Sequence, residues 1–245
     1  MIAALIPARL ASTRLPNKVL ADIHGRPMLW HVWNRVQQAH VFDRVIVATD
    51  AEEVYQAVES WGGSVLMTSP TCRSGTERIA SILDQLDADL IVNVQGDEPL
   101  IPPQMLNDLV RLWQSNPTDL ITPIFRLTTL EEVLSATRVK VTRAASGEAL
   151  YFSRSPIPFV RDLPQHRWLE QHIFWGHIGV YGYRRDVLAA YASLPVGQLE
   201  VAEQLEQLRF LEAGYHFQTF ETGYHPIAVD VFADLEHVRR IWEPG

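Results

Sequence analysis

A single cysteine, Cys72, stands among 245 residues. It excludes an internal disulfide and any cysteine-based zinc site, and it suits a compartment where thiols stay reduced. Positive charge is also in short supply, since 21 basic against 29 acidic residues leave a formal net charge of −8. That balance speaks against nucleic acid as a partner, which needs a broad basic face. No polybasic cluster offers itself to anionic lipid, and no apolar run reaches the roughly 20 residues of a membrane span. The apolar opening stretch, residues 1–8, lacks the basic residues that precede the core of a secretory signal. The expectation is a cytoplasmic protein with no membrane or nucleic-acid partner.

Several nucleotide and catalytic signatures are missing as well. No G-x-G-x-x-G follows a strand, no G-x-x-x-x-G-K-[ST] occurs, and neither G-x-S-x-G nor H-E-x-x-H is present. A dinucleotide-binding Rossmann site, a P-loop, a serine-hydrolase elbow and a paired-histidine zinc site are therefore unsupported. The nine histidines are scattered.

What is present reads as α/β. Residues 2–6 form a strand whose ladder Pro7 is expected to end, and residues 44–48 and 89–94 form two more. Between them lie segments of helical period: Met28, Leu29, Val32 and Val36 after Pro27; Val54 and Val58 after cap chemistry at Thr49 and Asp50; Ile79, Ile82, Leu83 and Leu86 after Ser74. Such alternation implies a mostly parallel sheet covered by helices on both faces. Ligands then sit beyond the carboxyl ends of the strands. Past Asp119 the rhythm changes. Residues 139–142, 149–152 and 173–183 read as strands around a proline-rich loop, with a helix over 199–211, a strand over 217–220 and a closing helix over 232–241. With 47% apolar residues, the chain reads as one domain over 1–245, with an inserted antiparallel extension at about 125–183.

The chemistry collects at the strand ends. Residues 7–18 hold Arg9, Arg14 and Lys18 and not one acid. At a strand terminus such a loop can supply cations, hydroxyls and amides to a polyphosphate, or it can be a solvated basic loop. The strand over 89–94 runs into Gln95-Gly96-Asp97-Glu98-Pro99. Asp97 there could hold Mg²⁺, which needs few protein carboxylates beside a triphosphate, or could serve as a turn or cap residue. Asp230, after the apolar run 226–229, is open to the same two readings. Gly176, Gly179 and Gly182 recur every third residue, allowing close strand packing or close approach of a ligand.

Together these blocks resemble the 3-deoxy-manno-octulosonate (Kdo) cytidylyltransferases, the CMP-Kdo synthetase family. The likeness is carried by residues 9–18 (RLASTRLPNK), Val47-Ala48-Thr49-Asp50, Ser74-Gly75-Thr76-Glu77-Arg78, residues 92–99 (VNVQGDEP) and Tyr151-Phe152-Ser153-Arg154. It continues through residues 177–184 (HIGVYGYR) and Leu205-Glu206-Gln207-Leu208-Arg209, spanning about residues 2–240. The resemblance implies a Rossmann-like nucleotide-diphosphosugar-transferase fold. It implies an enzyme that converts CTP and Kdo to CMP-Kdo and pyrophosphate for lipopolysaccharide biosynthesis, with Mg²⁺ as cofactor, working as a homodimer. Carried over residue by residue, Arg9 and Lys18 meet the triphosphate, and Ser12, Ser74 and Gly75 lie with the CTP. Gln95 lines the junction of nucleotide and sugar. Asp97 and Asp230 are the metal ligands, and Arg14, His177, Tyr181, Glu206 and Gln207 face the sugar acid. The chain departs from the family pattern at Val231, where a threonine usually follows the aspartate. It departs again at Ser155-Pro156, where Ala-Thr is usual. These departures bear on which acceptor fits, the alternatives being 8-amino-Kdo, another sugar acid or a phosphonate.

Overall fold

The computed structural model describes residues 1–10 and 15–242. Ser12 and Arg14 therefore lie outside the described residues. Alternating small and branched residues build strand β1 (Ile2–Ala8), in which every residue from Ala3 to Ile6 is fully buried. A 3₁₀ turn over Lys18–Leu20 leads into a small hairpin, β2 (Asp22–Ile23) and β3 (Arg26–Pro27). Helix α1 (Met28–Gln37) follows, then β4 (Arg44–Thr49), α2 (Glu52–Ser60), β5 (Ser64–Met67), α3 (Gly75–Ala80) and β6 (Leu90–Asn93). Helix α4 (Pro103–Ser115) and strand β7 (Leu120–Arg126) come next. A short α5 (Leu130–Leu134) precedes β8 (Lys140–Arg143), β9 (Ala149–Ser153), α6 (Trp168–Gln171), β10 (Trp175–His177) and β11 (Tyr181–Arg184). The chain closes through α7 (Arg185–Ala190), α8 (Gln198–Glu203), α9 (Gln207–Glu212), β12 (Phe217–Glu221) and α10 (Phe232–Ile241).

One ten-stranded sheet runs in the order β5-β4-β1-β6-β11-β7-β10-β8-β9, with β12 alongside β7. Strands β5, β4, β1 and β6 pair in parallel, and β12 pairs in parallel with β7. Strands β8, β9 and β10 are antiparallel and lie at one end of this same sheet. The period of two along β1 divides the core. Ala4, Ile6 and Ala8 face Leu29 and Val32 of α1 and Leu106 and Leu109 of α4. Ala3 and Leu5 face Ile79, Tyr183, Leu188 and Phe210 on the other side. A third, small core joins Ile23, Met28, Val229, Leu235 and Val238, binding the hairpin to α10. Among the described residues, no helix is long and apolar enough to cross a membrane.

Several local expectations need correction. Pro7 does not end the first ladder, because β1 stays paired to β4 through Ala8. Its pairing with β6 stops at Leu5, so the missing N–H falls where β1 has only one neighbour. The strand expected over 173–183 is two strands: His177 pairs with Ile124, but Gly182 pairs with Ile121. Between them the Thr122 hydroxyl lies 2.8 Å from the Val180 carbonyl and 3.3 Å from that of Ile178, taking the place of a backbone rung. The helix expected over 199–211 is also two, broken by Gln204 at φ 53°. Helix α2 is capped at Ala51 rather than at Asp50, with the Thr49 hydroxyl accepting the Ala51 N–H at 3.2 Å.

Candidate active site

The carboxyl ends of β1 and β6 open into a cleft of about 610 Å³ whose walls include Arg9, Lys18, Ser74, Gly75, Gln95, Asp97, Glu206 and Asp230. Lys18 Nζ donates to Asp97 Oδ2 at 2.7 Å and to Asp230 Oδ1 at 3.2 Å. Two carboxylates 133 positions apart in sequence thus converge on one cation. Backbone contacts fix that convergence. The Val229 N–H donates to the Asp97 carbonyl at 3.0 Å, and the Val94 N–H to Leu5 at 3.0 Å. Gly96 eases the close approach of β1, because a Cβ there would sit 3.1 Å from the Pro7 carbonyl oxygen. Asp230 is aimed from within the closing helix, where Asp234 Oδ2 accepts the N–H groups of Asp230 and Val231 at 2.9 and 3.0 Å. Asp234 thus makes the carboxylate half of a capping box, while its own N–H goes to the Val231 carbonyl because the valine side chain offers no acceptor.

Ser74 caps α3, accepting the Glu77 N–H at 3.2 Å, and its hydroxyl is 3.5 Å from that of Tyr191. Gly75 lies against Pro7, where a Cβ would come within 3.1 Å of the ring. Buried Arg78 lines the same cleft and is tied to Asp50 Oδ2 at 2.8 Å and to the Thr68 hydroxyl. Gln95 Nε2 donates to Asn93 Oδ1 at 3.2 Å, which orients the amide at the inner edge of the cleft.

Two further chambers lie behind Gln95. One, of about 230 Å³, is bounded by Gln95, Gly179, Tyr181, Glu206 and Gln207; the next, of about 240 Å³, by Glu98, Arg138, His177, Tyr181 and Gln207 among others. The Tyr181 hydroxyl donates to Gln207 Oε1 at 3.3 Å, and burial raises its phenol well above the usual range. His177 Nε2 is 2.9 Å from the Thr122 hydroxyl. That hydroxyl has one proton, which goes to a backbone carbonyl, so His177 must donate from Nε2 and carries its lone pair on Nδ1. Burial against Phe152 and Tyr181 pushes the imidazole down to about 3, which keeps it neutral. Glu98 accepts from the Tyr224 hydroxyl at 3.3 Å, and burial, with Asp97 next to it, pushes its carboxyl up to about 8.

Glu206 and Gln207 owe their place to the elbow between α8 and α9. Arg154 Nε and Nη2 donate to the carbonyls of Glu203 and Gln204 at 2.7 and 3.2 Å. Arg209 closes the elbow with a buried two-pronged bridge to Glu200, both contacts 2.6 Å, while its guanidinium lies 4.4 Å over the Tyr191 ring.

All the candidate residues that the structure describes thus line one continuous system. Arg9, Lys18, Ser74, Gly75, Asp97 and Asp230 are at the mouth, Gln95 and Glu206 at the junction, and Tyr181, Gln207 and His177 inside. Sequence reasoning did not single out Arg78, Glu98 or Arg138. Arg78 stands four residues past the Ser74 cap, on the face that the cap already fixed. Glu98 adjoins Asp97. Arg138 carries no signal in its own segment, because the far chamber forms only when β8 meets β10. Asp97 and Asp230 are the carboxylates able to hold a cation together, and no group of three or more metal-ligating side chains occurs among the described residues. Two hard oxygen donors at a cleft also lined by Arg9, Lys18 and Arg78 fit Mg²⁺.

Comparison with known proteins identifies the family. The family model described as cytidylyltransferase matches residues 3–220. The 3-deoxy-manno-octulosonate cytidylyltransferase of Geobacter sulfurreducens is 45% identical over 247 residues, covering 97% of each chain. That of Myxococcus xanthus is 47% identical, covering 97% of this chain and 95% of its own. A solved CMP:2-keto-3-deoxy-manno-octonic acid synthetase, complexed with CTP, superposes with a TM-score of 0.92 at 40% identity, over 98% of this chain and 97% of its own. A putative glucose-1-phosphate thymidylyltransferase from Bacillus anthracis, at TM-score 0.69 and 15% identity, covers 100% of this chain and 98% of its own and shares the fold. The chain belongs to the family of 3-deoxy-manno-octulosonate cytidylyltransferases.

Proposed function

We propose that this chain transfers the cytidylyl group of CTP to 3-deoxy-manno-octulosonate, releasing pyrophosphate and forming the activated sugar used for lipopolysaccharide. The observation that carries the reading is the convergence of Lys18, Asp97 and Asp230 at a cationic cleft that continues past Gln95 into two smaller chambers. The acceptor's anomeric oxygen attacks the α-phosphorus, and the bond to the bridging oxygen breaks as pyrophosphate leaves. Arg9 and Lys18 meet the phosphate oxygens, where charge-assisted hydrogen bonds contribute about 1.5–3 kcal/mol each. Lys18 exchanges carboxylate for phosphate partners when the nucleotide arrives. Mg²⁺ held by Asp97 and Asp230 would neutralise phosphate charge and lower the pKa of the attacking hydroxyl. His177 does not serve as the general base, since a pKa of about 3 makes it too weak. Its Nδ1 lone pair instead accepts from an acceptor hydroxyl, while Tyr181, Glu206 and Gln207 orient the sugar.

The test is pyrophosphate release by the purified chain with CTP and an acceptor panel, with and without EDTA. We expect turnover with CTP and Kdo, abolished by EDTA and restored by Mg²⁺. Activity confined to another sugar acid or a phosphonate would overturn the acceptor, and undiminished activity in EDTA would overturn the metal. We also propose a cytoplasmic homodimer joined through the antiparallel end of the sheet. There β9 is an edge strand, and Leu150 and Phe159 stand 62% and 74% exposed. Sedimentation of a monomer at working concentration would refute it.

A further inference from the structure

The chambers have an order. The middle one shares Gln95 and Glu206 with the cationic cleft, and Tyr181 and Gln207 with the far chamber. The cleft and the far chamber share no wall residue. In a 2-keto-3-deoxy sugar acid the reacting hydroxyl and the carboxylate sit on neighbouring carbons, so that end must lie near Gln95 and Lys18. The hydroxyl-bearing remainder of the molecule extends inward.

Arg138 is the one lysine or arginine in the far chamber's described wall, where Glu98 also lies. His177, also in its wall, is neutral. The Arg138 guanidinium is held in place: Nη1 donates to the Pro226 carbonyl at 3.1 Å, and the Arg138 carbonyl accepts from buried Lys140 at 2.6 Å. Its Nε and Nη2 make no hydrogen bond among the described residues. A guanidinium has five N–H donors and no acceptor, so these remaining groups suit an oxygen and repel an ammonium. Without Arg138 the described wall would hold no cation to repel an ammonium, and Glu98 would remain as a carboxyl able to accept from one.

We propose that Arg138 is a specificity-determining residue that reads the distal end of the acceptor, donating to neutral hydroxyl oxygens there and disfavouring a cationic tail. The inference rests on the acceptor reading above and adds to it a residue and a selection rule.

The experiment compares kcat/KM for 3-deoxy-manno-octulosonate and for its 8-amino-8-deoxy counterpart, with CTP saturating, in the wild type, Arg138→Gln and Arg138→Lys. Loss of one such polar contact is expected to raise the KM for the hydroxyl acceptor about tenfold in Arg138→Gln, leaving the KM for CTP unchanged. The preference ratio is expected to move about tenfold toward the amino acceptor. Arg138→Lys keeps the charge and should keep the ratio near the wild-type value. A ratio unmoved in Arg138→Gln overturns the proposal. A merely structural role through Pro226 would do this, since it would depress both acceptors alike. Wild type that turns over neither acceptor sinks the acceptor reading itself. Wild type that turns over the hydroxyl acceptor, with a fixed ratio, sinks Arg138 alone.

Discussion

The bridge between Arg209 and Glu200 offers a sharp test of how the inner chambers are held. Both residues are over nine-tenths buried, and both contacts are 2.6 Å. Arg209→Met removes the cation and leaves a buried carboxylate unpaired, which should cost about 3–5 kcal/mol. In a chain of this size each kcal/mol lowers Tm by about 2–4 °C, so a fall of roughly 6–20 °C is expected. Removing both partners, Arg209→Met with Glu200→Leu, should recover most of it, because well-packed apolar replacement of a buried pair is often neutral. Urea unfolding followed by tryptophan fluorescence measures the cycle. The bridge also joins α8 to α9 and, through Tyr191, reaches the Ser74 hydroxyl. Arg209→Met should therefore raise the KM for the acceptor more than it lowers kcat. A loss under about 1 kcal/mol would mean that solvent screens the pair, and a double variant as unstable as the single would place the cost in lost packing over Tyr191.

Three further outcomes are expected. Asp97→Asn should lower kcat by about 10²–10³, the scale of metal-assisted charge stabilisation, with far less effect on CTP affinity; near-wild-type turnover at saturating Mg²⁺ would remove Asp97 from the site. Gly96→Ala should push the turn after β6 away from the Pro7 carbonyl and cost about 1–3 kcal/mol in urea, with a raised KM for CTP; an unchanged midpoint would show that the turn yields freely. Burial pushes Lys140 down from its ordinary value to about 8, so the native state binds fewer protons than the unfolded chain between about pH 8 and the ordinary lysine range. Stability should rise with pH through that window in the wild type and stay level in Lys140→Met. A flat wild-type profile would mean that the carbonyls of Ser135, Arg138 and Arg154 hold the ammonium strongly enough to cancel burial.

Much of the placement of the candidate site was legible because it follows from local rules. Apolar runs at β1, β4 and β6 fixed a parallel sheet, and a parallel sheet puts its chemistry at the carboxyl ends, where Arg9, Lys18, Ser74 and Asp97 indeed lie. The breaks in longer elements were not legible, because their causes lie elsewhere in the chain. The gap between β10 and β11 is set by the Thr122 hydroxyl of β7, and the elbow at Gln204 by Arg154 beyond β9. Neither partner is near in sequence, and neither alters the apolar pattern of the segment it bends. Arg138 was hidden for the same reason.

The third core gives the active site two separate foundations. Asp97 grows out of the main sheet. Lys18 enters the β2–β3 hairpin, and Asp230 opens onto α10. These two are fastened to each other through Ile23, Met28, Leu235 and Val238, and through Arg239, whose guanidinium reaches the Asp22 carbonyl at 2.9 Å. Lys18 and Asp230 therefore travel as a unit, tied to Asp97 by the backbone bond from Val229, and the alignment of the two acids depends on how that unit is seated against the sheet. Loosening α10 would misalign the carboxylates while leaving the large cores whole, so an enzyme damaged there would melt like the intact protein and yet fail to turn over.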